Sequence, residues 1–199
     1  MNCLNNVIKK RRSIYNLSNK IPITNLKLEN IIKQALKNTP SAFNSQSSRL
    51  VLLYNQKHIL FWNDIVLNTL RNNIPQSKLI NSVKRIESFT NAYGTILYFE
   101  DYNTIKKLES KYPEYTSYIN IWANQSNAML QYIIWTMFAE NNIGANLQHY
   151  NPIIDEKLAQ TFNINTSWTL IAQMPFGGIL KKADKKTNAE TKERFKILK

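Results

Sequence analysis

Apolar positions along this chain fall into runs whose spacing alternates between that of a helix and that of a buried strand. Leu4, Val7 and Ile8 stand at helical spacing and predict a short N-terminal helix running into Lys9, Lys10, Arg11, Arg12 and Ser13. Thr24 suits an N-cap, and Leu28, Ile31, Ile32, Ala35 and Leu36 repeat every three or four residues until Pro40 stops the pattern. After the polar loop from Ser41 to Ser48, the apolar run from Leu50 to Tyr54 predicts a buried strand. His58, Phe61, Trp62, Ile65, Val66 and Leu70 return to helical spacing. Residues 71–93 are polar and weakly patterned, which predicts a helix and a mobile connection, and Gly94 opens a second buried strand from Thr95 to Phe99.

The stretch from Tyr115 to Asn141 predicts one helix of roughly 40 Å, long enough to need more than one layer, or another subunit, to pack against. Ile119, Trp122, Met129, Tyr132, Ile133, Thr136 and Met137 occupy its periodic positions, and Gly144 reads as its C-terminal cap. Residues from Tyr115 to Ala139 carry no charge, but Asn120, Asn124, Gln125, Asn127 and Gln131 would strand several amides in hydrocarbon. A buried helix, with no membrane span, is therefore expected. A helix around Ile154 to Phe162 and a strand from Trp168 to Ala172 follow, and past Pro175, Phe176, Gly177 and Gly178 the periodicity gives way to a basic tail. Such a tail is either disordered or ordered by a partner chain. With no internal repeat and no Pro- or Gly-rich linker, the pattern describes one α+β domain over residues 1–199.

Charge sharpens this picture. Over 199 residues the net charge is +13, an electrostatic footprint shared by nucleic-acid and anionic-surface binders. Yet residues 1–37 carry +7 and residues 181–199 carry +5, leaving +1 for everything between. Two basic ends around a neutral body suit a single anionic group if those ends meet in space. Four glycines, at 94, 144, 177 and 178, cannot spell a dinucleotide-binding turn or a phosphate loop. One cysteine, Cys3, and two distant histidines, His58 and His149, offer neither a disulfide nor a metal cluster. Cys3 and His58 read as structural residues. No export signal is visible, so a cytoplasmic location is expected.

Three polar segments carry candidate chemistry. Arg11-Arg12-Ser13 offers two guanidinium forks and a hydroxyl, which can clamp a phosphate or simply form a solvated charge run. Pro40-Ser41-Ala42-Phe43-Asn44-Ser45-Gln46 supplies amides and hydroxyls that could edge a flat heterocycle, or merely cap the preceding helix. Gly144-Ala145-Asn146-Leu147-Gln148-His149-Tyr150-Asn151-Pro152, with Met174-Pro175-Phe176-Gly177, completes the set, each of which alone could be a turn.

Taken together, in this order and spacing, the segments resemble the nitroreductase family of flavoproteins over nearly the whole chain. The similarity is to the branch named for yeast fatty-acid-repression and nitroreductase-like proteins. That resemblance implies an α+β homodimer with a mainly antiparallel sheet, FMN at the subunit interface, the long helix in the dimer core and residues 179–199 wrapped over the partner. It assigns FMN phosphate and ribityl contacts to Arg11, Arg12 and Ser13, and flavin contacts, partly from the other subunit, to Ser41, Asn44 and Gln46. Gln148, His149 and Tyr150 match the segment that lines the isoalloxazine. Arg194 matches the tail's phosphate contact, with Lys181, Lys182, Lys185 and Lys192 nearby, and Arg71 matches a mid-chain cationic partner. Ser47-Ser48 stand where many members place Pro-Trp, and His149-Tyr150 where they place an acidic-glycine pair.

The activity implied is hydride transfer from NADH or NADPH to FMN and then two electrons to a nitroaromatic or quinone-type acceptor. The flavin carries that chemistry, which accords with a sequence lacking an evident carboxylate pair. Two rival readings remain open at this point: a non-enzymatic flavin-holding redox sensor, and a basic nucleic-acid or anionic-lipid binder. The neutral middle of the chain argues against the second.

Overall fold

The protein is described from a computed structural model covering residues 3–199, the side chain of Lys78 excepted. Helix α1 (Cys3–Lys10) and the short strand β1 (Leu17–Ser18) open the chain. Helix α2 (Asn25–Asn38) begins where expected, with the Thr24 side chain accepting from the Lys27 amide, and it buries Leu28, Ile31, Ile32 and Ala35. Strand β2 (Ser48–Tyr54) leads into α3 (Asn55–Leu60), a π-helical stretch Phe61–Leu67 and α4 (Asn68–Asn73). The wide π turn places Phe61, Trp62, Ile65 and Val66 inward together. Helix α5 (Gln76–Thr90), strand β3 (Gly94–Asp101) and helix α6 (Tyr102–Lys111) precede the long helix α7 (Thr116–Glu140). Strand β4 (Ile143–Ala145), helix α8 (Asp155–Phe162) and strand β5 (Trp168–Ile179) complete the body.

The sheet is antiparallel throughout, in the order β1-β5-β3-β2, with β4 also paired to β5. Its two faces support two separate cores. Ile96, Tyr98, Ala172, Met174 and Phe176 face α2 and α7, whose Leu28, Ile32, Leu130, Ile134 and Phe138 pack on them. Leu97, Phe99 and Leu170 face the opposite side, against Phe61, Trp62, Ile65, Ile86, Phe89 and Leu158. Strand β3 lies between β2 and β5 with helices on both faces, and every one of its residues is buried. That double cover is why its sequence is a continuous apolar run rather than an alternating one.

Four expectations need correction. The apolar run of β2 is not a buried strand: β2 is an edge strand in which only Leu53 is fully buried. The polar stretch 71–93 does hold the expected helix, α5, which buries Ile86 and Phe89, but that helix fills most of it and leaves only short turns at residues 74–75 and 91–93 for a connection. Gly144 is not a helix cap but the centre of β4, and α7 ends instead at Asn141, with Asn142 in the left-handed region. Strand β5 does not stop at Ala172 but runs on through Pro175, Phe176 and Gly177. A Cβ on Gly177 would lie 2.2 Å from the Ser18 carbonyl oxygen, so glycine is what lets β1 close on β5.

Helix α7 buries Ile119, Ala123, Leu130, Ile134 and Phe138 but leaves Tyr118, Ile121, Met129 and Tyr132 exposed on its other side. Beyond Ile179 the tail is exposed apart from a half-buried Ala183, with one 3-10 turn at Thr191–Glu193. Among the described residues, no helix is long and apolar enough to cross a membrane.

Candidate functional site

After α1 the chain runs as an extended segment held edge-on to β4. Ser13 pairs with Ala145 in parallel, and the Ile14 amide donates to the Ala145 carbonyl at 2.9 Å. This pairing joins two of the segments singled out in the sequence, Arg11-Arg12-Ser13 and the stretch beginning at Gly144. Beside it lies a cleft of about 420 Å³ between residues 11–16 and 181–186. Arg11, Arg12, Lys181, Lys182, Lys185 and Lys186 line the cleft, and Asp184 is the one acid among its lining residues. Arg12 Nη2 donates to the Asp184 carbonyl at 2.6 Å, tying the two basic ends together. The Arg11 guanidinium lies 4.4 Å from the centre of the Trp135 ring on α7, and its buried Nε has no hydrogen-bond partner among the described residues. Arg194 sits beyond this cleft, at the end of the 3-10 turn, and the tail cations brought to it are the four lysines instead.

The segment after β4 is fixed from beneath by β5. Gln148 and Gln173 exchange both backbone hydrogen bonds, at 2.7 and 2.9 Å. The fully buried Gln173 side chain accepts from the Tyr150 amide at 2.8 Å and donates to Asn151 Oδ1 at 3.1 Å. His149 is exposed. Tyr150 is half-buried: its ring meets Trp62 edge-on at 5.8 Å and packs against the second core, where burial raises the pKa of its hydroxyl.

The third segment lies on a different cleft, of about 510 Å³, which Ser41 and Gln46 line with Lys33, Lys37, Leu130 and Trp168. Ser41 Oγ accepts from the Gln46 amide at 2.9 Å, and the Ser41 carbonyl accepts from the Asn44 amide at 2.9 Å. Phe43, Asn44 and Gln46 all take left-handed backbone, with φ of 52°, 52° and 49°. Such conformations cost non-glycine residues on the order of 1 kcal/mol each and must be held by their surroundings. Phe43 is held by stacking on Tyr112, with ring centres 4.3 Å apart. Arg71, at the end of α4, lines neither cleft and bonds Asn68 Oδ1 at 3.2 Å.

The nitroreductase family model matches residues 8–178, which spans all three segments and all of the sheet but its last residue, Ile179. The chain belongs to the nitroreductase family. It is 33% identical over 176 residues to nitroreductase FRM2 of Saccharomyces cerevisiae, with 86% of each chain covered. It is also 34% identical to the nitroreductase CinD of Lactococcus lactis, solved in complex with nicotinic acid, with a TM-score of 0.91 over 98% of this chain and 99% of that one. A Desulfitobacterium hafniense nitroreductase solved with bound FMN shares the fold at a TM-score of 0.75 and 17% identity, each chain being fully covered.

Set in that family, this nitroreductase shows supporting residues the sequence did not reveal. Arg49 Nη1 donates to the Gln46 carbonyl at 2.7 Å while Nη2 reaches Asp101 Oδ2 at 2.8 Å, so one guanidinium anchors the strained loop to β3. Burial alone would raise the Asp101 carboxyl, but Thr104, Ser167, Arg49 and the Asn103 amide together hold it below the usual carboxylate range. Nearby, the buried Glu100 Oε1 accepts from Ser48 Oγ at 2.5 Å and from Asn127 Nδ2 at 2.8 Å. Neither Arg49 nor Glu100 stands in a motif, and each is recognisable only by its partners across the fold.

Proposed function

We propose that this nitroreductase is an FMN-dependent oxidoreductase that works as a homodimer, taking reducing equivalents from NADH or NADPH and passing two electrons to a nitroaromatic or quinone-type acceptor. The observation that carries the reading is the cation-lined cleft, formed where Arg11-Arg12-Ser13 is pinned to β4 and closed by the lysines of residues 181–186. Six cations against one acid make a donor set for a phosphomonoester, the terminal group of FMN. When bound, FMN supplies the hydride-accepting and electron-delivering chemistry.

The chain's own residues bind and orient. Arg12 is already aimed across the cleft by the Asp184 carbonyl, and Trp135 and Tyr132 hold Arg11 from below. Gln148, His149 and Tyr150 edge the flavin from the same protomer, while Ser41, Asn44 and Gln46 come from the other. That division is supported by the separation of the two clefts within one chain, and by the exposed Tyr118, Ile121, Met129 and Tyr132 face of α7, which a second copy would cover. Residues 181–186 of the tail close the cleft of their own chain; in this reading the rest of the tail, with Arg194, wraps the partner, and the enzyme acts in the cytoplasm. The flavin complex of the D. hafniense protein and the nicotinic acid complex of CinD accord with it.

The deciding test is the visible absorption spectrum of the purified protein before and after anaerobic NADH or NADPH. Flavin bands that bleach with nucleotide and return with a nitroaromatic or quinone support the oxidoreductase. Bound flavin that no nucleotide reduces favours a redox sensor. A colourless chain that takes up no FMN overturns the reading.

A further inference from the structure

Asn146 follows β4 directly and is completely buried. Its Nδ2 donates to the Ile14 carbonyl at 2.8 Å, and its Oδ1 accepts from Gln148 Nε2 at 2.7 Å. The Ile14 carbonyl belongs to the segment that carries Arg11, Arg12 and Ser13, so a single carboxamide touches both that segment and the side chain of Gln148. Backbone bonds already fix the local register without it. The Ile14 amide bonds the Ala145 carbonyl at 2.9 Å, and the Asn146 amide bonds the Pro175 carbonyl at 3.3 Å. What the carboxamide adds is direction. Turning it by half a rotation would set its oxygen against the Ile14 carbonyl and its NH2 against the NH2 of Gln148, losing both bonds at once. With Nε2 committed inward, Gln148 presents its Oε1 and remaining N–H in one orientation.

We propose that Asn146 is a positioning residue: it fixes the orientation of the Gln148 carboxamide relative to the cationic segment, and thereby sets the affinity and reduction potential of the bound flavin. This rests on the flavin reading above. Asn146 itself, being buried, touches neither cofactor nor substrate.

The test is a double-mutant cycle on Asn146→Ser and Gln148→Ala, reading the FMN dissociation constant by fluorescence quenching and the midpoint potential of the bound flavin by spectroelectrochemistry. Asn146→Ser is expected to weaken FMN binding by about tenfold and to shift the potential, the size of one well-made hydrogen bond to the cofactor. In the Gln148→Ala background the same change is expected to alter both readings by less than about twofold. An equal effect in both backgrounds overturns the proposal, as does a loss of melting temperature with affinity and potential unchanged. Should Asn146→Ser fail to fold, Gln148→Met answers alone. This partly exposed side chain can be exchanged without disturbing the core, and it is expected to reproduce the affinity and potential shifts. Wild-type affinity and potential in Gln148→Met would leave Asn146 nothing to act through and overturn the proposal, while the flavin reading stands. A wild-type chain that takes up no FMN overturns both.

Discussion

His58 sits at the end of a buried relay that admits one protonation state. Trp62 Nε1 donates to Thr95 Oγ1 at 2.8 Å, the Thr95 hydroxyl donates to His58 Nδ1 at 2.8 Å, and His58 Nε2 donates to the Thr90 carbonyl at 3.2 Å. A second ring proton would point at a hydroxyl whose own proton has nowhere else to go, and burial pushes the imidazole pKa down from 6.5 to about 4. The unfolded chain thus takes a proton near pH 6.5 that the folded chain refuses until about pH 4. Stability is full above that upper value and is lost as the pH falls through the lower one, by about 3 kcal/mol for the whole shift. Because Asp155 titrates in the same window, the difference is what isolates His58: between pH 7 and pH 4.5 the wild type is expected to lose more stability in urea titrations than His58→Gln does, by most of that amount. Asp155 works in the opposite sense. Its buried Oδ1 lacks a partner among the described residues, and burial raises the carboxyl to about 6, so its favourable contribution is present at low pH and is lost as the pH rises through that value. Asp155→Asn is therefore expected to raise the melting temperature at pH 7.5 and to leave it unchanged near pH 3.5.

At the level of strands and helices, Gly177 shows how tightly the elements are fitted. Alanine there puts a methyl group against the Ser18 carbonyl, a main-chain atom that cannot move without parting β1 from β5. Gly177→Ala is expected to cost roughly 3 kcal/mol in a denaturant titration, the scale of a serious steric fault in a packed region. The sequence pattern could not say this. It marked Gly144 as a cap and Gly177 as part of a turn because glycine is usually chosen for its backbone angles, whereas here neither has a positive φ and both are chosen for cross-strand proximity. Elements defined by their own periodicity were legible, among them α1, α2 with its Thr24 cap, α7 and the doubly covered β3. The apolar run of β2 was misread because half-burial at an edge depends on its neighbours in the sheet. The site divides in the same way. Arg11-Arg12-Ser13 and the Gly144 segment were legible as motifs, but the roles of Arg49, Asn146 and Gln173 come from hydrogen bonds to distant residues such as Asp101, Ile14 and Tyr150.

For the molecule as a whole, the arrangement of charge and apolar surface has one economical resolution. The basic ends meet at one cleft, the strained Ser41–Gln46 loop borders another, and α7 leaves a row of large apolar side chains uncovered. Two copies related by a two-fold axis would cover that row and bring each cleft of one copy to the other cleft of its partner. If each flavin site takes its cations from one protomer and its loop from the other, two defective chains can repair each other. Arg12→Glu spoils the first half-site and leaves the second; Asn44→Asp spoils the second and leaves the first. Each variant alone is expected to retain little FMN. Unfolded together and refolded as a mixture, they form mixed dimers in which one site collects both defects and the other collects none. With random pairing, about a quarter of the wild-type flavin content is expected to return. Mixing that restores no flavin, although both variants fold and mixed dimers are found by native mass spectrometry, would place all the flavin contacts within one chain. The dimer would then serve only to cover the apolar face of α7.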